Sequence, residues 1–205
     1  MAVENPFERG PRITPAEPER VQAILEDAPA AAQANMRRAE AILETLDAED
    51  VPEKYATEAD WGFAFTGALA LHPEIFKIWW AEEGEVFEGG NLDRGFKELL
   101  AAVIAHRRGA TICIAWHTTS AQLEDVDPDR FAVAADFEAK KSELPDRERV
   151  AIEFGVKSVE SPQDVSDADV DRVRDHKYTD ADIVELVTTA GTAAKFANFA
   201  ITLDI

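Results

Sequence analysis

Between Leu92 and Gln122 one glycine decides the fold, because it splits an otherwise continuous apolar helical pattern into two pieces. Before it, Phe96, Leu99, Leu100, Val103 and Ile104 recur at helical spacing as a single stripe, with Asp93 standing where an N-cap belongs. Gly109 stops that helix. After it, a second helix runs through Ile112, Cys113, Trp116 and Thr119, which puts Cys113 and His117 four residues apart on one face. The stretch holds the only cysteine and two of the four histidines of the chain.

The remaining segments read as helices too. Thr14-Pro15-Ala16-Glu17 has capping-box spacing with proline at the first helical position, so a helix is expected from Pro15 with Val21, Ile24 and Leu25 inward. A second helix is expected from Pro29 to Leu46, and a third, apolar nearly all round, from Trp61 to Leu71. His72-Pro73 then opens a helix with Ile75, Phe76, Ile78, Trp79, Trp80 and Phe87 as a broad aromatic face. Further helices are expected over Phe131 to Ser142, from Leu144-Pro145 onward, after the spacings Ser166 to Asp169 and Thr179 to Asp182, and from Ala181 to Leu203. Val51 to Asp60 reads as a short turn or helix. Alternating β-branched runs are few, so the fold class is all-α. Residues 1–14 form an N-terminal arm, and 15–205 a single all-α domain whose motif region is 60–125.

Charge narrows the partners. With 41 acidic against 21 basic residues the net charge is −20, which excludes nucleic acid and anionic membrane surfaces as ligands, since both need basic patches. The acid is spread along the chain and reads as a solvated surface. One cysteine allows no internal disulfide, and no apolar N-terminal segment suggests a signal or a membrane span, so a cytoplasmic location is expected. No phosphate loop or nucleotide fingerprint is present, so no cofactor is expected. Nor is a metal, because Cys113, His117 and Glu98 offer at most three ligands and His106 lies on a different helix.

A thiol and an imidazole one turn apart near the start of a helix suit thiolate chemistry, since both a neighbouring imidazolium and a helix N-terminus favour the ionised sulfur. The pattern also resembles the alkylhydroperoxidase D family, grouped with the carboxymuconolactone decarboxylases. Its motif is Glu, eleven residues, Cys-x2-Cys, three residues, then His. Glu98, Cys113 and His117 fall at its Glu, second Cys and His, and Ala110 stands at its first Cys. LHPEIF and GGNLDRGFKELL upstream extend the likeness, which runs from about Asp60 to the C-terminus.

The resemblance implies an alkylhydroperoxidase D-like helical bundle and a thiol-dependent peroxidase acting on a small hydroperoxide. Cys113 would be the attacking thiolate, with His117 and Glu98 as the proton relay. With alanine at position 110, the oxidised sulfur would be resolved by an external thiol reductant. It also implies a homotrimer or homohexamer. Two alternatives stand beside it. One is a lyase of the decarboxylase branch, using His117 and Glu98 on a small lactone whose carboxylate Arg107 or Arg108 would bind. The other is a catalytically idle helical oligomer in which Cys113 is core and His117 satisfies a buried carboxylate.

Overall fold

The structure, a computed structural model, describes residues 11–45, 58–124 and 126–205, and among them every regular element is a helix. Residues 1–10 of the expected arm and most of the Val51 to Asp60 segment lie outside the described residues. None of the described helices is long and apolar enough to cross a membrane. The chain packs as two compact units, Met1–Glu85 with Phe199–Ile205, and Val86–Asn198.

In the first unit α1 (Pro18–Glu26), α2 (Ala30–Thr45), α3 (Glu58–Ala70) and most of α4 (Pro73–Glu88) contribute the core. Val21, Ile24, Ala32, Ala39, Ile42 and Phe76 are buried, and Asn35 Nδ2 donates to Glu83 Oε2 at 2.7 Å. The expected start of α1 is corrected. The helix begins at Pro18, behind Glu17, which makes no side-chain cap. Pro15 and Ala16 instead cross α3 at Gly67, where Ala16 N–H donates to the Gly67 carbonyl at 3.0 Å, so this backbone is spent on α3 rather than on a helical turn. Arg12, in the described part of the expected arm, is fastened: its N–H donates to the Leu203 carbonyl at 2.8 Å and its guanidinium to that of Thr202 at 2.7 Å.

In the second unit α5 (Arg94–Arg108) is the centre, packed against α6 (Thr111–Gln122), α7 (Pro128–Ala135) and α9 (Asp146–Glu160). Every residue from Gly95 to Ala105 is buried, so α5 has no solvent face over that span, where the sequence suggested only a stripe. Around it lie α8 (Phe137–Lys140), α10 (Asp167–Asp175) and α11 (Asp180–Leu203). The helix expected from Phe131 to Ser142 is broken at Asp136, whose φ of −139° and ψ of 60° leave helical space. Phe131 and Phe137 explain the break. Six residues apart they would point about 120° away from each other on one helix, and the bend lets both reach the core. Ser166 with Asp169 forms a reciprocal capping box at α10, and Thr179 with Asp182 makes the same pair of bonds at α11.

Candidate active site

Two backbone devices set the site. Asp93 accepts from Phe96 N–H at 3.1 Å and starts α5; Gly109 ends it in the left-handed region, φ 71°, with Ala110 N–H returning to the Ala105 carbonyl at 3.0 Å. Glycine takes that conformation without the steric cost of a Cβ. The chain therefore doubles back within two residues, and α6 lies along α5 with Glu98 opposite His117 and Ser120. Ala110, in the N-cap position of α6, supplies no side-chain cap. Cys113 is the third residue of that helix, where the N-terminal dipole favours negative charge on its sulfur.

Glu98 carries no exposed surface, yet both its oxygens are used. Oε2 meets His117 Nδ1 at 2.7 Å, and Oε1 accepts from Ser120 Oγ at 2.6 Å and from Arg94 Nε at 3.2 Å. Burial pulls this carboxyl upward, but the hydrogen bond and charge of His117, the Arg94 guanidinium and the Ser120 hydroxyl outweigh it and hold Glu98 below the usual carboxylate range. An ionised Glu98 can only accept, so Nδ1 of His117 must carry the hydrogen. In the neutral ring Nε2 is then the basic atom. Phe87 of α4 stacks on that ring, centroids 5.4 Å apart and planes 20° apart, and fixes its tilt.

The structure thus brings two of the three candidate residues, Glu98 and His117, into direct contact. Cys113 sits one turn before His117 on the same helix and is 6% exposed. Arg107 is engaged elsewhere, with Glu160 at 2.7 and 2.8 Å and Glu138 at 3.0 Å, and Arg108 donates to Asn198 Oδ1 at 2.6 Å. Both face structural partners rather than an open carboxylate site. His106, in the last turn of α5, is partly buried, which lowers its pKa. Among the described residues no group of three or more His, Cys, Asp or Glu is arranged to hold a metal ion.

Three neighbours were missed from the sequence. Arg94 and Ser120 carried a usable signal, being four residues before Glu98 and three after His117, hence on the same helix faces. Phe87 carried none, since its contact joins separate helices. On the aromatic face of α4, Trp80 is buried and stacked on Phe76 at 5.8 Å within the first unit.

No protein-family model matches the chain, and no curated protein sequence matches it. Solved structures do. An uncharacterized peroxidase-related protein from Ralstonia eutropha JMP134, described as an alkylhydroperoxidase AhpD core, is 19% identical, with a TM-score of 0.64 over 78% of this chain and 88% of its own. The chain has this helical fold. A second uncharacterized peroxidase-related protein, from Silicibacter sp. TM1040, is also 19% identical, with a TM-score of 0.64 over 70% of this chain and 74% of that one. The debrominase Bmp8, solved as a cysteine-to-alanine variant in complex with 2,3,4-tribromopyrrole, is 15% identical, with a TM-score of 0.67 over 94% of this chain and 89% of its own. At these identities the likeness speaks for the alkylhydroperoxidase D-like fold alone.

Proposed function

We propose that the protein is a thiol-dependent peroxidase of small hydroperoxides. What carries the reading is the Glu98–His117 pair at 2.7 Å, buried, with the only cysteine of the chain one turn away at the start of α6. Nε2 of His117 takes the thiol proton of Cys113, and the thiolate attacks the distal peroxide oxygen. The O–O bond breaks as the S–O bond forms, and the leaving alkoxide takes the proton back from the imidazolium. The products are an alcohol and a sulfenic acid on Cys113. Glu98 is not consumed; it keeps Nδ1 protonated and balances the imidazolium charge.

Turnover then needs a reductant. Ala110 offers no second sulfur, so an external thiol condenses with the sulfenic acid, releasing water and leaving a mixed disulfide that a second thiol reduces. In this reading the chain works as a homotrimer or homohexamer. Exposed apolar side chains, Leu71 and Ile78 in one unit and Val184 and Val187 in the other, support subunit contacts.

The test is peroxide consumption with a panel of thiol donors, comparing wild type with Cys113→Ser and Glu98→Gln. Loss in C113S together with a peroxide-dependent sulfenic acid in wild type is the expected result. Lactone turnover that survives thiol blocking would replace this reading with the lyase, and consumption of 2,3,4-tribromopyrrole but not peroxide would redirect the thiolate to debromination. A thiol inert to reagent and peroxide alike would leave a scaffold.

A further inference from the structure

We infer that Arg94 is a positioning residue for the Glu98–His117 pair: it holds Glu98 in the carboxylate form, so that the hydrogen stays on Nδ1 and Nε2 is left as the basic nitrogen of the ring. The inference rests on the proposed thiol chemistry for its meaning but not for its measurement.

Arg94 reaches the pair by two routes. Its Nε and Nη2 lie 3.2 and 3.0 Å from Glu98 Oε1, one helical turn along α5. Its guanidinium also lies over the Phe87 ring, 5.8 Å from the centroid, and that ring stacks on His117. The side chain is only 11% exposed. Charge and ring plane are thus both set from one residue.

The surroundings explain why a cation is needed here. Glu98 has no solvent-exposed surface, and a buried carboxyl without a cation takes up a proton. A protonated Glu98 would donate to Nδ1 and leave the hydrogen on Nε2, which reverses the tautomer and removes the base. The groups facing Glu98 are Arg94 on its own helix, and His117 and Ser120 on α6. Arg94 is in turn shared with Glu88 of α4 and with Glu124 beyond α6, 3.8 Å away. Those two carboxylates, 61% and 33% exposed, compete with Glu98 for the guanidinium. The arginine therefore links the protein surface to the base.

The measurement is the carboxyl carbon signal of Glu98 in a 13C-glutamate-labelled protein, identified by its absence in Glu98→Gln and followed against pH. Arg94→Gln should move its midpoint up by about one unit or more, while Arg94→Lys, which keeps the charge, restores most of the shift. In parallel, the acid limb of Cys113 alkylation by iodoacetamide should move to higher pH in R94Q and return in R94K. A packing role alone would lower stability in both variants without moving either midpoint. If R94Q does not fold, Glu88→Gln decides: it frees the guanidinium for Glu98 and moves the same signal down. An unmoved Glu98 signal in folded R94Q, or in E88Q, overturns the inference. A wild type inert to peroxide whose Glu98 signal still moves in R94Q would sink the peroxidase reading and leave the role of Arg94 standing.

Discussion

Lys97 of α5 and Glu185 of α11 meet at 2.5 Å with only 1% and 13% of their side chains exposed. The ammonium also donates to the Val86 carbonyl at 2.9 Å and to that of Gly89, while the carboxylate accepts from Asn91 N–H at 2.8 Å and Leu92 N–H at 3.1 Å. This pair holds the turn that aims α5, and with it Glu98. Gly90 sits there at φ 85° against the Glu185 carboxylate, where a Cβ would collide.

Removing one partner of this pair should cost far more than any exposed ion pair. Lys97→Met leaves the Glu185 charge half-satisfied in a dry setting, and the expected loss is about 3–5 kcal/mol in urea unfolding. Arg174→Met, at the exposed pairs with Asp171 and Asp180, should change stability by less than about 1 kcal/mol. Equal losses from the two substitutions would show that burial is not what matters at Lys97.

Two glycines should respond with opposite signs. A Cβ on Gly67 would stand 2.7 Å from the Ala16 carbonyl oxygen and 2.9 Å from Pro15 Cβ, so Gly67→Ala must push the chain off α3 and cost about 1–3 kcal/mol. Gly191, inside α11, has nothing within 4 Å of that position. Gly191→Ala should therefore raise stability by about 0.5–1 kcal/mol through helix propensity. Thermal melts of the two variants check both signs, and a destabilised G191A would mean that another chain packs on this face.

How much of this was readable in advance varied with the range of the interaction. Local signals held: Asp93 caps α5, Gly109 ends it, and Ser166 opens α10, because each depends on residues within one turn. Thr14 failed by the same logic. Its spacing was right for a cap, but the packing of Pro15 and Ala16 on Gly67, about fifty residues away, outweighed a local preference of roughly 1 kcal/mol. At the site, Glu98 and His117 were singled out together only by the resemblance to the alkylhydroperoxidase D motif, and the hairpin sets them against each other, whereas Phe87 entered through a contact that no periodicity encodes. The full burial of Lys97 was equally invisible, since a lysine on a helix reads as solvated until its partner on α11 is known.

Acid should weaken the fold at Glu98. Its carboxyl is held below the ordinary value of 4.5, so the stabilisation it gives is complete above that value and is lost as pH falls through the lower folded pKa. Against Glu98→Gln, the wild-type advantage in unfolding free energy should be flat above about pH 5.5 and shrink steadily below about pH 4.3. A difference that stays constant into acid would mean that the pair is not ionic.

The chemistry should separate the acid from the sulfur. Glu98→Gln preserves shape, but the amide can donate as readily as accept, so the ring is free to place its hydrogen on Nε2 and the base is lost in a fraction of molecules. Oxidation of Cys113 by peroxide should fall about 10²- to 10⁴-fold at neutral pH, the usual span for general-base assistance. At high pH the thiol ionises without help and the deficit should narrow. His117→Asn, which has no base at all, should follow the same curve, while Cys113→Ser should show no recovery at any pH. A Glu98→Gln deficit that persists unchanged to pH 10 would place the role of the carboxylate in binding or folding and remove it from proton transfer.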